Sequence, residues 1–207
     1  MRPDEVLDTL QRAGFEAWYV GGCVRDTLLG RPIHDWDVTT SALPEQVLAL
    51  FPRTVPTGLQ HGTVTVLSDS GPVEVTTYRA DGDYHDGRHP DGVRFVRSLR
   101  EDTARRDFTV NAMAMDQRGN IRDFYGGRAD LAAGILRCVG APERRFREDA
   151  LRMLRACRFA AQLGFAIEPE TWAALLRCAP LCKQLSRERI TEEVTKTIRS
   201  PSPQWAA

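Results

Sequence analysis

The sequence lacks the features that mark membrane proteins and secreted disulfide-rich proteins. No apolar run in its 207 residues approaches the roughly 18–20 residues that span a bilayer. The N-terminus, MRPDEVLDTL, is acidic and has no apolar stretch of the signal-peptide kind. The five cysteines are scattered and form no CxxC pair, which is unlike a disulfide framework or a zinc site. We therefore expect reduced thiols in a cytoplasmic protein without a membrane partner.

Lysine is also scarce, because 26 of the 28 basic side chains are arginine, and 28 acidic side chains bring the net charge to zero. The two signs are separated along the chain. Residues 1–93 carry 7 basic and 14 acidic side chains, whereas residues 94–158 carry 15 basic and 9 acidic ones. This order suits a protein that holds divalent cations with one part and polyphosphate with the next. A codon preference explains the choice of arginine but not the separation of sign.

The hydrophobic pattern predicts an α+β fold in which a small mixed sheet is flanked by helices and followed by an all-helical part. The predicted strands are 15–20, 34–40, 62–67 and 72–78, and the predicted helices between them are 3–13, 23–29 and 44–51. From about residue 142 to residue 199 the pattern is helical throughout. We therefore expect two domains, 1–140 and 141–207, the second ending before further domains would begin.

A polar segment interrupts the first part. Residues 79–92 (RADGDYHDGRHPDG) contain almost no apolar side chain. The segment is too long for a simple connection, and loops of this kind are usually functional.

The central motif is the predicted strand HDWDVTT, which carries Asp35 and Asp37. Side chains alternate along a strand, so both carboxylates are expected on one face. Two like charges on one face repel, and burying them is costly without a cation. Mg²⁺ typically takes one or two carboxylates together with substrate phosphates. The pair alone is equally compatible with two solvated carboxylates on a surface strand.

A glycine pair precedes this motif. Gly21 and Gly22 stand between a predicted strand and a predicted helix, where they allow a ligand to approach the backbone and the helix N-terminus to bind an anion. Arg25 adds a guanidinium that can donate two hydrogen bonds to phosphate. Alone this is compatible with an ordinary strand–helix turn. Together with the carboxylates about a dozen residues later, it indicates a site for a nucleoside triphosphate and its metal.

Glu74 offers a third carboxylate within the predicted strand PVEVTTY. A charged residue in such a strand often faces solvent. If the strand lies beside HDWDVTT, Glu74 completes a cluster of three carboxylates that can hold two ions, as in two-metal phosphoryl transfer.

Arginines form a second group of signals, in RRDFTVNAMA (Arg105 onward) and in EDALRMLRACR (Glu148 onward). Asp149, Arg152, Arg155 and Arg158 are spaced by three, which predicts one stripe of a helix. An Asp accepts and an Arg donates, so a pair one turn apart can meet a base edge that has a donor and an acceptor. The alternative is an ordinary salt bridge on a solvated helix, although three arginines exceed what one Asp requires.

The motifs GGCVRD, DWDVTT, HGTVTV, EVTTYR, RRDFTVNAMA, EDALRMLRACRFAAQLGF and SRERI together resemble the class II tRNA nucleotidyltransferase and bacterial poly(A) polymerase family, over residues 18–200. The resemblance implies a head domain of the polymerase-β type and a helical neck. It implies that Asp35 and Asp37 bind catalytic Mg²⁺, that Gly22 and Arg25 contact the triphosphate and that Arg106 lies near the sugar and phosphates. Asp149 and Arg152 would pair with the incoming base, Arg155 and Arg158 would complete the nucleotide site, and SRERI would hold a helical turn.

Within the family, HGTVTV resembles the CCA-adding branch, and the polar loop 79–92 resembles enzymes that can add the terminal A. The expected reaction is therefore Mg²⁺-dependent attack of a tRNA 3′-hydroxyl on the α-phosphate of CTP or ATP, with release of pyrophosphate. The open alternatives are an A-adding or CC-adding enzyme, a poly(A) polymerase, and a fragment that binds nucleotide but does not retain tRNA.

Overall fold

The computed structural model describes residues 2–81 and 93–206, and these form two compact units. The first unit lies within residues 1–82, 92–106 and 111–124, and the second contains residues 107–110 and everything from residue 125 onward. Most of the polar loop 79–92 lies outside the described residues. In the described part of the chain, no helix is long and apolar enough to cross a membrane.

The first unit contains both strands and helices. In chain order its elements are α1 (Pro3–Arg12), β1 (Ala17–Val20), α2 (Gly22–Leu28), β2 (Trp36–Thr40), α3 (Pro44–Leu50), β3 (Thr54–Gly58), β4 (Thr63–Ser68), β5 (Gly71–Thr77), β6 (Arg79–Asp81), β7 (Val93–Phe95), α4 (Leu99–Ala104), β8 (Met113–Met115) and β9 (Ile121–Asp123). This mixture confirms the predicted α+β class.

Seven strands form one mixed sheet in the order β3-β4-β5-β2-β1-β8-β9. Strand β2 runs parallel to β5, and the other neighbours in this sheet are antiparallel. Strands β6 and β7 make a separate antiparallel pair. The parallel pair in the middle of the sheet therefore joins two segments that lie far apart in sequence.

The faces of β2, β4 and β5 differ in polarity because side chains alternate. Val38, Val64 and Val75 are buried on one face, which the buried side of helix α1 also covers, with Val6, Leu7 and Leu10. The opposite face carries the polar side chains at the next positions, Asp37, Thr39, Thr65, Glu74 and Thr76. The apolar face supplies core stability, and the polar face is left for chemistry.

Local patterns predicted several elements of this unit correctly. The β4–β5 hairpin is observed with Ser68 opposite Gly71. Strand β2, however, begins only at Trp36, so Asp35 precedes the strand instead of lying in it. Strands β2 and β5 pair from Trp36 and Val73 onward. One step earlier Asp35 would stand opposite Pro72, which has no backbone N–H to donate. Strand β3 was not predicted, because Pro56 makes its sequence unlike an interior strand, and proline is tolerated at the edge where β3 lies.

The second unit is mainly helical. Its elements are α5 (Gly127–Ala133), β10 (Ile135–Leu136), α6 (Pro142–Glu148), α7 (Leu151–Leu163), β11 (Ala166–Ile167), α8 (Pro169–Cys178) and α9 (Arg187–Ile198). Gly164 ends α7 in the left-handed conformation, at φ 70°, as predicted. The expectation of helix throughout residues 142–199 is wrong at β11, which pairs in parallel with β10. All five cysteines of the chain are free.

The buried face of α1 provides a direct test of the core. Leu7 is 0% exposed and Leu28, in α2 of the same unit, is 39% exposed. Leu7→Ala is expected to lower the free energy of unfolding by about 2–5 kcal/mol, because it removes buried methyl groups and leaves a cavity. Leu28→Ala, the matched control, is expected to change it by less than about 1 kcal/mol. Denaturant unfolding measures both, and equal effects would contradict the burial of α1.

Candidate functional site

Three carboxylates predicted from sequence gather at the start of β2. Asp37 and Glu74 are register partners on the parallel strands β2 and β5, whose backbones are about 4.8 Å apart in such ladders. From the sequence, Glu74 was expected to join the two aspartates if its strand lay beside the DWD strand. This is the case, because β5 pairs with β2. Asp35 is exposed just ahead of β2, Asp37 is partly buried, and Glu74 is exposed. The three acids interact electrostatically at Asp37.

Burial and neighbouring charges act on the Asp37 carboxyl group. Burial raises its pKa to about 6, Arg106 opposes this shift, and the charges of Glu74 and Asp35 add to it. A carboxylate that is partly removed from water beside two like charges is costly to ionise. Such a group is stabilised by a bound cation, so its surroundings fit the metal chemistry expected of this motif.

The donor set consists of carboxylate oxygens, which hard divalent cations prefer. Across the described residues, however, no group of three or more His, Cys, Asp or Glu side chains is arranged so that it could hold a metal ion. The arrangement therefore fits a cation that takes one or two protein carboxylates and completes its shell with water and substrate oxygens, as Mg²⁺ commonly does.

Gly21 brings the backbone close to the Asp37 and Arg106 side chains. Its φ is +77°, which only glycine adopts readily. A Cβ there would stand 3.2 Å from Arg106 Nη1 and 3.3 Å from Asp37 Oδ2. Glycine is thus favoured at position 21 both by the backbone conformation and by the close approach of the Arg106 and Asp37 side chains. Gly22 follows as the first residue of α2.

Arg25 is buried in α2. Its Nε donates to Asp26 Oδ1 at 3.0 Å, its Nη2 to Asp26 Oδ2 at 2.8 Å, and its Nη1 to Asn111 Oδ1 at 2.7 Å. The adjacent acid is visible in the sequence as part of CVRD. The contact with Asn111 was missed, because the two residues are 86 positions apart.

Arg106 is the predicted arginine whose charge acts on Asp37. Its Nη2 forms an ion pair with Asp102 Oδ2 at 3.6 Å, and its Nε is buried without a hydrogen-bond partner among the described residues. Asp102 was not singled out from the sequence, although its spacing of four from Arg106 was a usable signal. Burial disfavours its charge, yet Arg105 and Arg106 hold the pKa of Asp102 below its usual value.

In the second unit, the predicted stripe of four residues is wrong at its first member. Asp149 follows α6 in an extended conformation, and α7 begins at Leu151. The Asp149 carboxylate accepts from the Leu151 N–H at 3.0 Å, which is typical of Asp at a helix start. Arg189 Nη2 donates to Asp149 Oδ2 at 2.9 Å. This pairing was missed, although Arg189 belongs to the SRERI motif.

The three arginines of α7 each have an acidic partner. Arg152 Nη1 donates to Glu148 Oε2 at 2.6 Å and to the Arg145 carbonyl at 3.1 Å. Arg155 pairs with Asp107 at 2.7 Å, and Arg158 pairs with the buried Glu193 at 2.6 Å. The first pair joins residues four positions apart across the break between α6 and α7, and the others join residues 48 and 35 positions apart.

Comparison with known families gives two matches. A family described as the Poly A polymerase head domain matches residues 17–137. A second, described as a probable RNA- and SrmB-binding site of polymerase A, matches residues 164–206. The first covers more than half of the chain and includes β1, α2, β2 and β5, which position the carboxylates and the glycine pair.

Curated relatives carry the name CCA-adding enzyme. That of Geobacillus stearothermophilus is 53% identical over 196 residues, which are 95% of this chain and 48% of the relative. That of Lactiplantibacillus plantarum is 52% identical over 198 residues, or 96% of this chain and 49% of the relative. The chain therefore spans about half the length of the curated relatives it matches.

Similar solved structures carry the same kind of name as these relatives. The structure is similar to a Bacillus stearothermophilus CCA-adding enzyme crystallised with CTP, with a TM-score of 0.91 and 48% identity over 100% of this chain and 51% of that one. A tRNA nucleotidyltransferase in complex with a primer tRNA and an ATP analog gives a TM-score of 0.79 and 29% identity, covering 97% and 58% of the two chains. On these matches, the chain belongs to the class II tRNA nucleotidyltransferase and bacterial poly(A) polymerase family and has its polymerase-β-type head.

Proposed function

We propose that the chain is the catalytic part of a template-independent RNA nucleotidyltransferase that adds CMP and AMP to the 3′ end of tRNA in the cytoplasm. The RNA 3′-hydroxyl attacks the α-phosphate of CTP or ATP, and pyrophosphate leaves. Relatives named CCA-adding enzyme support this proposal, as do similar structures crystallised with CTP or with a primer tRNA and an ATP analog.

The observation that carries the proposal is the position of Asp37. Its carboxylate has a raised pKa, its strand neighbour is Glu74, and it lies beside Gly21 and Arg106. Phosphoryl transfer depends on positioning and on stabilisation of negative charge. Acidic groups for a cation and a guanidinium for phosphates, brought together where glycine exposes the backbone, meet both needs.

We propose that Asp35 and Asp37 hold Mg²⁺, with Glu74 as the adjacent third carboxylate. When bound, the ion lowers the pKa of the attacking hydroxyl and neutralises developing charge. Gly22 lets the triphosphate approach the backbone at the start of α2, and Arg25, oriented by Asp26 and Asn111, contributes positive charge towards it. Arg106 contacts the sugar and phosphates.

In the second unit we propose that Asp149 and Arg152 select the base. Cytosine and adenine each present an exocyclic amino donor next to a ring-nitrogen acceptor, whereas uracil and guanine present the reverse order. A carboxylate that accepts and a guanidinium that donates therefore favour C and A. Arg189 and Glu148 hold these two side chains in place. Arg155 and Arg158 complete the site by fixing α7 through Asp107 and Glu193.

We propose that the first part of the chain, to about residue 140, is the nucleotidyltransferase head and that the remainder is the helical neck. The assay that tests the function incubates the chain with Mg²⁺, tRNA lacking its CCA end, and each labelled NTP. Addition of C, C and then A is expected. Addition of A alone, of CC alone or of many adenylates would identify one of the alternative activities. Binding of CTP and ATP without incorporation would identify a nucleotide-binding fragment and contradict the catalytic proposal.

Removal of either proposed metal ligand tests the chemistry. Asp35→Ala and Asp37→Ala are each expected to slow nucleotide addition by more than about 100-fold, since even residues that only support metal ligands typically cost 10–100-fold. Circular dichroism checks that the variants are folded. Glu45→Ala, at an exposed position of α3, is the control and should retain full activity. A folded Asp37→Ala variant with normal activity would exclude this site.

Base selection is tested at Arg152. Arg152→Ala should reduce the preference for CTP and ATP over UTP and GTP by about 10- to 100-fold, because a hydrogen bond to a charged group contributes about 1.5–3 kcal/mol. Arg144→Ala is the matched control, since Arg144 also pairs with Glu148 but is exposed. Competition between labelled nucleotides measures the preference. Equal selectivity in both variants would contradict a role for Arg152 in base recognition.

The raised pKa of Asp37 predicts a pH dependence of stability. Below about pH 4 the carboxyl is protonated whether the chain is folded or not, and as the pH rises through 6 the folded state loses stability relative to the unfolded one. Asp37→Asn should therefore be more stable than the parent at pH 7.5, by about 3 kcal/mol, and nearly equal to it at pH 4. Denaturant unfolding without divalent cations measures the difference. A variant less stable at both pH values would contradict the shift.

A further inference from the structure

Asp102, in α4, is a fully buried carboxylate outside the set predicted from sequence, with 0% of its surface exposed. Its Oδ1 accepts from the Arg79 backbone N–H at 3.2 Å and from Arg105 Nε and Nη2 at 3.1 and 3.0 Å. Its Oδ2 lies 3.1 Å from Thr39 Oγ1, whose one proton it shares with the Thr76 carbonyl at 3.2 Å, and it pairs with Arg106 Nη2 at 3.6 Å. Both carboxylate oxygens of Asp102 thus have partners, which come from β2, from β6 and from the C-terminal end of α4.

Two of these partners lead directly to the candidate site. Thr39 follows Asp37 by two residues, on the same face of β2. Arg106 extends from Asp102 towards Gly21. A Cβ added to Gly21 would have Arg106 Nη1 as its nearest atom, at 3.2 Å, and Asp37 Oδ2 as the next, at 3.3 Å. Asp102 therefore holds the strand that carries Asp37 and also the guanidinium beside it.

The Arg106 guanidinium is bracketed by two carboxylates, Asp102 at Nη2 and Asp37 near Nη1. Its Nε is buried and makes no hydrogen bond to the described residues. The orientation of the group thus depends on its two Nη atoms. With Asp102 removed, the guanidinium would be drawn towards Asp37, where it would compete with a cation for the carboxylate oxygens.

We infer that Asp102 is a positioning residue of the nucleotide site, which holds Arg106 back from Asp37. In this role it keeps the Asp37 oxygens available to a cation and the Arg106 donors available to the sugar and phosphates. The inference rests on the proposed function. The competing view is that Asp102 only neutralises Arg105 inside the unit, in which case its loss would lower stability without a specific effect on nucleotide binding.

A double-mutant cycle separates the two views. The variants are Asp102→Asn, which keeps the shape and the acceptor but removes the charge, Arg106→Ala, and the two combined. The affinity of the 207-residue chain for CTP is measured by titration with Mg²⁺, and KM and kcat for addition to tRNA are measured in parallel. Thr77→Val is the control, because the buried Thr77 donates to the Ala42 carbonyl at 2.7 Å on the opposite face of the sheet.

Each single variant is expected to weaken CTP binding by about tenfold or more, the effect of losing one charge-assisted hydrogen bond. The double variant should be no weaker than Arg106→Ala alone, because Asp102 acts through Arg106. KM should rise more than kcat falls, and Thr77→Val should bind CTP normally despite its lowered stability. Additive losses, or normal binding by folded Asp102→Asn, would overturn the inference.

If Asp102→Asn is not recovered folded, Thr39→Val replaces it in the same cycle, since Thr39 anchors the oxygen that faces Arg106. Its matched control is again Thr77→Val. A loss of affinity that is not additive with Arg106→Ala supports the inference, and an additive loss or none contradicts it. If the parent chain itself binds neither CTP nor ATP, the proposed function fails. If the parent binds and Asp102→Asn binds equally well, only the role of Asp102 fails.

Discussion

The structure of the candidate site depends on one unfavourable interaction, the partial burial of Asp37 beside two other acids. Burial and the charges of Glu74 and Asp35 all disfavour its ionised form, and Arg106 only partly offsets them. A fold tolerates such a group when its apolar face supplies enough stability elsewhere. Here the valines of β2, β4 and β5 and the buried face of α1 do so, while the opposite face of the same strands carries the charges.

The second general feature is that each arginine predicted to bind nucleotide already has a carboxylate partner. Arg25 has Asp26, Arg106 has Asp102, Arg152 has Glu148, Arg155 has Asp107 and Arg158 has Glu193. A long flexible side chain held in this way loses less entropy when it meets a ligand. Three of these acids, Asp102, Asp107 and Glu148, lie within the arginine-rich residues 94–158, so part of the positive charge of that segment is held in oriented pairs.

The fold alone does not define the reaction, since one fold commonly carries several activities. Family membership supports the proposed transfer of nucleotides, and the proposed choice of nucleotide depends on individual residues. The proposed base selection rests on Asp149 and Arg152 at the start of α7, because a carboxylate and a guanidinium can pair with the amino and ring-nitrogen groups that cytosine and adenine share. Arg189, from α9, orients the first, and Glu148, the last residue of α6, orients the second.

The sequence by itself determined the elements and motifs that depend on neighbouring residues. These include the hairpin around residues 69–70, the end of α7 at Gly164, the glycine turn before α2 and the carboxylates of DWD, because each follows from local backbone preference or from spacing. Only the tertiary structure decided that Glu74 stands opposite Asp37, that Asp149 leaves the helix to meet Arg189, and that Asp102 lies between Thr39 and Arg106. Such contacts join distant segments, and their geometry is set by strand order and by burial, which no local pattern encodes.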